Sequence, residues 1–83
     1  MPYINKEFRD SLRPGAEDVP QNPGELNFVF TEHICNYISN HGLSYQTIND
    51  ILGALEGAKL EFYRRVAVPY EETKKLENGD VYE

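Results

Sequence analysis

The feature that most constrains this chain is a long helical pattern between Ser44 and Lys75. Apolar residues recur along it at spacings of three and four, which places them on one side of an α-helix. A second set of small and apolar residues covers much of the remaining surface, so this helix needs more than one packing partner. The first set is Ile48, Leu52, Leu55, Phe62 and Val66, and the second is Ile51, Gly53, Ala54, Gly57, Ala58, Leu60 and Tyr63.

A second helix precedes the long one and has clear start and stop signals. Asn22 is a capping residue, Pro23 suits the first helical position, and Glu25 stands where a capping box places its acid. Gly42 ends this helix, and two residues later a serine caps the long one. Because the connection is so short, we expect the two helices to run antiparallel, as a helical hairpin over residues 23–77.

Shorter elements are predicted before the hairpin. Apolar residues at every fourth position predict a short amphipathic helix from about Asn5 to Leu12, which is too short to be stable alone. The Pro- and Gly-containing stretch from Arg13 to Asn22 predicts a loop, either a plain connector or a mobile lid.

Pro69 interrupts the end of the hairpin. Proline removes one helical hydrogen bond, and its ring clashes with the carbonyl group four residues earlier. The helix therefore either kinks at Pro69 or ends near Ala67 and restarts there, with residues 78–83 as a tail. The sequence thus predicts one all-α domain, residues 1–83, made of an N-terminal helix and loop (1–22), the hairpin and the tail.

The size of the chain predicts an oligomer. A chain of 83 residues buries only about 60% of its unfolded surface, and small scaffolds compensate with disulfides, a metal or oligomerisation. Cys35 is the single cysteine, and with only His33 and His41 beside it the usual zinc ligands are missing. Association of copies is the remaining way to stabilise so small a chain, and neither a metal nor a cofactor is expected.

The charge excludes one broad class of function. The formal net charge of −6 argues against general nucleic-acid binding, which needs a basic face to displace counterions. It does not exclude a small anion held by a few arginines. No run of about 18 apolar residues predicts a membrane span, and no signal-peptide pattern is present, so we expect a cytoplasmic protein.

The residue types used in catalysis are present but are not arranged for it. Glu56 and Glu61 have Lys59 and Arg64 three positions away, as in ordinary helix-surface ion pairs. Cys35 has no neighbouring base and is expected to be a small buried hydrophobic residue. The sequence therefore predicts a protein that is not an enzyme.

Two glycines inside the long helix require an explanation, because each costs about 1 kcal/mol relative to alanine there. Gly53 and Gly57 are one turn apart, which favours close approach of another helix, from the same chain or from a second subunit. With Leu60 and Phe62 they form the predicted interface. The alternative is that the glycines lie against a phosphate or a base.

The candidate ligand site is a cluster of basic and aromatic residues. Guanidinium groups bind phosphate bidentately, and tyrosine rings stack on bases. In a continuous helix Tyr63 and Tyr70, which are seven residues apart, share one side. The alternative is that the arginines pair with Glu61, with Asp18 or with a neighbouring subunit, and that the tyrosines are interface residues. The predicted ligand-binding set is Lys59, Tyr63, Arg64, Arg65 and Tyr70.

About two thirds of the chain, from Gly24 onward, resembles a family of small uncharacterised proteins of bacteriophages and related bacterial genomes. That resemblance implies no activity. The residues that carry it are Gly24-Glu25-Leu26-Asn27, Leu43-Ser44-Tyr45, Ile48-Asn49, Leu55-Glu56, Lys59 to Arg65, Pro69-Tyr70-Glu71 and Glu77-Asn78-Gly79-Asp80-Val81-Tyr82.

A looser similarity covers about ten residues. The segment Arg64-Arg65-Val66-Ala67-Val68-Pro69-Tyr70-Glu71-Glu72 resembles the C-terminal end of the phage anti-CBASS sponges, although the spacings before it differ. These are small helical oligomers that sequester cyclic nucleotide signals without cleaving them. The similarity implies an anion site between subunits, formed by Arg64, Arg65 and nearby tyrosines, for a cyclic nucleotide or an ADP-ribose-type molecule.

Two functions of different classes follow from these observations. The first is an oligomeric anti-defence protein that sequesters a phosphorylated nucleotide immune signal at subunit interfaces. The second is a helical adaptor or inhibitor that binds a host protein. A small hydrolase would need a metal or a nucleophile that the sequence does not supply.

Overall fold

The computed structural model describes residues 5–7 and 19–82, and every regular element within these ranges is helical. Helix α1 spans Pro23–His41 and α2 spans Tyr45–Phe62; a π-helical segment, Tyr63–Ala67, follows, and then α3, Val68–Asn78. The all-α prediction is confirmed for this part of the chain. The chain divides into two compact units, with the boundary between Ile51 and Leu52.

Only the start of the predicted N-terminal helix is described. Lys6 and Glu7 are helical, and the Asn5 side-chain oxygen accepts a hydrogen bond from the backbone N–H of Glu7 at 2.9 Å. This is the contact expected of a helix-capping asparagine. The remainder of the predicted helix and most of the predicted loop, residues 8–18, lie outside the described residues.

The predicted start of α1 is confirmed. The side-chain oxygen of Asn22 accepts a hydrogen bond from the N–H of Glu25 at 2.9 Å, and Pro23 is the first helical residue. The Glu25 carboxylate reaches back and accepts the N–H of Gln21 at 2.8 Å. The first contact satisfies a backbone donor that the helix leaves unpaired, and the second satisfies the donor just before the cap, as in a capping box shifted by one residue.

The predicted end of α1 is also confirmed. Gly42 has a φ of 80°, and its N–H donates to the carbonyl oxygen of Ile38 at 2.7 Å. A positive φ is unfavourable for residues with a Cβ atom, so glycine is the residue that closes the helix at this position with least strain.

Thr47 connects the turn after α1 to the first turn of α2. Its N–H donates to the Ser44 hydroxyl at 3.1 Å, which confirms the serine as the helix cap. Its own hydroxyl donates to the carbonyl oxygen of Gly42 at 2.7 Å. With 4% of its surface exposed, Thr47 is the only buried residue in the described part of the chain.

Polar and ring contacts link α1 to the start of α2. The hydroxyl of Tyr37 donates to the Asp50 carboxylate at 3.4 Å, and Gln46 donates to the other oxygen of that carboxylate at 2.7 Å. The rings of Tyr37 and His41, one turn apart on α1, have centroids 4.2 Å apart. The three-residue connection itself is confirmed, and the antiparallel hairpin stays a prediction.

No apolar side chain in the described ranges is buried. Those of α1, α2 and α3 remain at least partly open to solvent, including residues of both apolar sets predicted on the long helix. Cys35 is exposed, so the prediction that it is a buried hydrophobic residue is wrong. The residue lies on α1, which has no buried position at all. Large exposed apolar side chains are Leu26, Phe28, Phe30, Leu52, Leu60, Phe62, Val66 and Leu76, among others.

The helix does not end at Pro69. Phe62, Ala67 and Val68 all have right-handed helical backbone angles, and the N–H of Val68 donates to the carbonyl oxygen of Tyr63, five residues earlier. A π turn holds one more residue than an α turn, so the backbone hydrogen bonds shift by one residue just before Pro69, which has no N–H to donate. Of the two outcomes that the sequence left open, termination near Ala67 is therefore not observed.

Helix α3 ends as its sequence predicts. Gly79 has a φ of 86°, and its N–H donates to the carbonyl oxygen of Lys75 at 2.8 Å. Lys75 pairs with Glu72 at 3.3 Å and Lys74 with Glu77 at 3.6 Å, along the exposed surface of the helix. Beyond the helix, Val81 and Tyr82 are 90% and 95% exposed.

We predict that Thr47→Val lowers the free energy of unfolding by about 1 kcal/mol, because it removes a buried hydroxyl donor and leaves the Gly42 carbonyl without that partner. Chemical denaturation followed by far-UV circular dichroism measures the change. Thr31→Val is the matched control, since the Thr31 hydroxyl donates to Asn27 at 3.0 Å on an exposed surface. Equal effects of the two substitutions would contradict a special role for Thr47.

Candidate functional site

The basic and aromatic residues singled out in the sequence lie along one helical stretch. Lys59 is in the last turns of α2, and Tyr63, Arg64 and Arg65 are the first three residues of the π segment. Tyr70 is in the first turn of α3. We call this stretch, from Glu56 to Tyr70, the basic segment.

The π turn changes which residues of the basic segment share a side. An α-helix has 3.6 residues per turn, and the i→i+5 bond of a π turn adds one residue to that turn. Residues eight apart therefore come onto the same side across it, instead of residues seven apart. Tyr63 and Tyr70 do not share the side predicted for a continuous α-helix; Tyr70 is instead in register with Phe62.

The cations of the basic segment already have partners in the chain. Arg64 forms an ion pair with Glu61, and Lys59 lies 3.6 Å from Glu56. Arg65 is also engaged in an interaction within the chain. The alternative in which an arginine pairs with Glu61 is thus observed for Arg64, and the other proposed partner, residue 18, lies outside the described residues.

The ion pairs of the basic segment differ in exposure. Lys59 and Glu56 are 73% and 57% exposed, whereas in the other pair Arg64 is 67% exposed and Glu61 only 18% exposed. Exposed pairs at this helical spacing contribute only a few tenths of a kcal/mol. A phosphate that binds a guanidinium bidentately forms stronger, charge-assisted hydrogen bonds. The ammonium group of Lys59 and the guanidinium group of Arg64 are therefore accessible to an anion.

The tyrosines of the basic segment present open rings. Tyr63 is 55% exposed and Tyr70 is 63% exposed. The ammonium group of Lys74, one turn beyond Tyr70, lies 5.5 Å from the centre of that ring. The distance is within the range of a cation–π contact, which at an exposed site contributes about 0.5–1 kcal/mol.

Nothing in the described chain approaches the two glycines of α2. A Cβ atom added at Gly53 or Gly57 would meet no neighbouring atom within 4 Å. Close approach by another helix, from the same chain or from a second subunit, stays a prediction. Leu60 and Phe62, the other predicted interface residues, are 51% and 62% exposed.

The structure shows two features that the sequence did not indicate. One is an open groove between the last turns of α3 and the residues after it, lined by Glu72, Lys75 and Val81 among others. Two of its charged side chains, Glu72 and Lys75, pair with each other along α3. The other is the contact between Tyr37 and Asp50. Neither has a signal in spacing or composition, because each depends on how the chain folds back.

The described residues contain no group of three His, Cys, Asp or Glu side chains close enough to hold a metal ion. None of the described helices has both the length and the apolar content that crossing a bilayer requires.

The chain belongs to a family of uncharacterised proteins. Residues 1–81 match the model of a domain of unknown function, DUF6899. No curated protein and no solved structure matches the chain significantly. The family thus covers nearly the whole chain, and its description states no activity.

We predict that Gly53→Ala and Gly57→Ala each raise the free energy of unfolding by about 0.5–1 kcal/mol in dilute protein, because the space above both residues is open and alanine favours the helix. Urea titration followed by circular dichroism measures the change. The reverse substitution at a neighbouring position, Ala54→Gly, is the control and should destabilise by a similar amount. Destabilisation by the alanines would instead show that another helix packs against these glycines.

Proposed function

We propose that this protein is a non-enzymatic helical protein that acts by binding, as an assembly of copies. The observation that carries the proposal is the absence of any buried apolar side chain in the described part of the chain. Burying one large apolar side chain contributes about 1.5–3 kcal/mol, and monomeric proteins rarely leave large contiguous apolar patches open. Surfaces of this kind are typical of chains that are covered by a partner.

The ligand that we propose for the assembly is a phosphorylated nucleotide signal. The basic segment supports this proposal, because it presents Tyr63, Arg64 and Arg65 in succession on a π turn, with Lys59 and Tyr70 on either side. Single π turns within α-helices are frequently found at functional sites. Arginines would bind the phosphate and an exposed tyrosine ring would stack on the base.

The biological setting of this proposal comes from the resemblance of the sequence to phage proteins. In that setting the protein is an anti-defence sponge of the host cytoplasm, which removes a cyclic nucleotide or an ADP-ribose-type immune signal. Sequestration requires no catalytic group. The proposal therefore needs only a cluster of aromatic rings and of cationic groups that donate hydrogen bonds to phosphate, and the basic segment contains both.

The proposal is tested by isothermal titration of the full chain with a panel of cyclic nucleotides and ADP-ribose derivatives. We expect one member of the panel to bind, and Arg64→Gln to weaken its affinity at least tenfold, equivalent to about 1.4 kcal/mol. Glu61→Gln should strengthen binding several-fold, since it removes the carboxylate that competes for Arg64. Chromatography after the titration should recover the ligand intact.

Lys75→Gln is the control for this titration, because Lys75 is also ion-paired on an exposed helix surface, with Glu72, but lies outside the basic segment. It should leave the affinity unchanged. Silence across the whole panel, or equal affinities of the wild type and Arg64→Gln, would contradict the nucleotide proposal. Degradation of the ligand would contradict the assignment as a non-enzymatic protein.

A second candidate function is that of an adaptor or inhibitor that binds a host protein. Helix α1 favours it, because Leu26 and Phe30 are exposed on one side and Phe28, two residues from each, is 62% exposed on another. Exposed aromatic side chains are common anchors of protein interfaces. A helix with apolar residues on two sides is able to contact more than one surface.

Affinity capture from host lysate tests the second candidate. We expect a single stoichiometric partner that is lost with Phe28→Ser, because removal of a central aromatic anchor typically weakens binding more than tenfold. Thr31→Ser, a small polar change at another exposed position of α1, is the control. Failure of the wild-type protein to retain any partner would contradict the adaptor function and leave the nucleotide proposal unaffected.

A further inference from the structure

One side of α2 carries a row of exposed residues at coiled-coil spacing. Leu52, Leu55, Lys59 and Phe62 follow one another in steps of three, four and three, and the π turn brings Tyr70 onto the same side. The four apolar members are between 39% and 63% exposed. We call these five residues the seam.

We propose that a second copy of this chain covers the seam, with the two α2 helices antiparallel about a twofold axis at the level of Gly57. The inference relies on the assembly of copies contained in the proposed function, and it is independent of the nucleotide. It specifies which surface associates, in which direction, and which residues meet across it.

The four α2 residues of the seam are spaced symmetrically about Gly57, and Tyr70 lies beyond them. Leu52 and Phe62 are each five residues from it, and Leu55 and Lys59 are each two residues from it. In an antiparallel pair, Leu52 of one copy therefore faces Phe62 of the second copy, and Leu55 faces Lys59. A closed twofold interface requires such a self-complementary arrangement, in which each contact occurs twice.

Charge decides between the antiparallel and the parallel arrangement. A parallel pair in register would place Lys59 against Lys59, two like charges in an apolar surrounding. In the antiparallel pair the aliphatic stem of Lys59 covers Leu55 of the second copy, and its ammonium group reaches Glu56 of the second copy. Within one chain these two side chains are 3.6 Å apart and mostly exposed, so their pairing is easily exchanged.

The exposed area is sufficient for a second copy. Aromatic side chains have about 150–250 Å² to bury and leucines are somewhat smaller, so the exposed fractions of the four apolar residues of the seam amount to roughly 400 Å². Homodimer interfaces are about 65% apolar, which makes this roughly 600 Å² per copy and about 1,200 Å² in total. That total is at the lower limit of stable specific interfaces, so association should depend on concentration.

Disulfide crosslinking tests the direction of the pair. Leu52→Cys and Phe62→Cys are each made in the full chain with Cys35→Ser, and are oxidised separately and as a mixture. The antiparallel pair is expected to give a crosslinked dimer in the mixture only. In each variant alone, the cysteines of the two copies are ten residues apart along the helix axis. A parallel pair would crosslink each variant alone, which would overturn the proposal.

Sedimentation velocity tests the charge contact over a range of chain concentrations. Lys59→Glu places two carboxylates together across the seam and should raise the dimer dissociation constant at least tenfold. Adding Glu56→Lys should restore it, and Lys75→Glu, a charge reversal outside the seam, should leave it unchanged. Circular dichroism confirms that each variant remains helical.

Several results would overturn the proposal. These are a wild-type chain that keeps the mass of one copy up to high micromolar concentration, a mixture that gives no crosslink, and a Lys59→Glu variant that associates normally. A dimer that forms as proposed but binds no member of the nucleotide panel would remove only the ligand from the proposed function. The two failures are therefore distinguishable.

Discussion

The stability of this molecule depends on the burial of its apolar side chains. Its described helices are α1, of 19 residues, and one continuous helical stretch from Tyr45 to Asn78 formed by α2, the π segment and α3. Helices in proteins gain most of their stability by burying an apolar side, and no apolar residue is buried in the described ranges. The capping and ion-pair contacts contribute about 1 kcal/mol each or less, which is too little to replace a core. The proposals of assembly and of protein binding both follow from this lack of buried apolar side chains in the described ranges.

Pro69 has consequences well beyond its own turn. Because it lacks an N–H, the preceding segment adopts a π turn, and that turn shifts the following residues by one position around the helix. Tyr70 consequently moves out of register with Tyr63 and into register with Phe62. The shift therefore moves Tyr70 away from the side of Tyr63, and it also extends the apolar seam.

The two proposals for α2 assign different partners to the same cation. Lys59 belongs to the predicted ligand set, and in the antiparallel pair it contacts Leu55 and Glu56 of the second copy. If both proposals hold, the phosphate is bound chiefly by Arg64 and Arg65, and Lys59 serves the interface. Since its present contact with Glu56 is exposed and weak, neither role requires a strong interaction to be broken.

The sequence by itself determined the helical class and the helix ends. Asn22, Pro23 and Gly42 delimit α1 and Gly79 ends α3, because capping depends on hydrogen bonds and backbone angles within about four residues. It also indicated the ion pair of Arg64 with Glu61, which depends only on helical spacing. Only the tertiary structure decided that Thr47 is buried, that Cys35 is exposed and that the helix passes Pro69 through a π turn. Burial depends on how far other parts of the chain lie from each side chain, and a local pattern does not contain those distances. A proline is compatible with either a broken or a continued helix, so the local sequence left the π turn open.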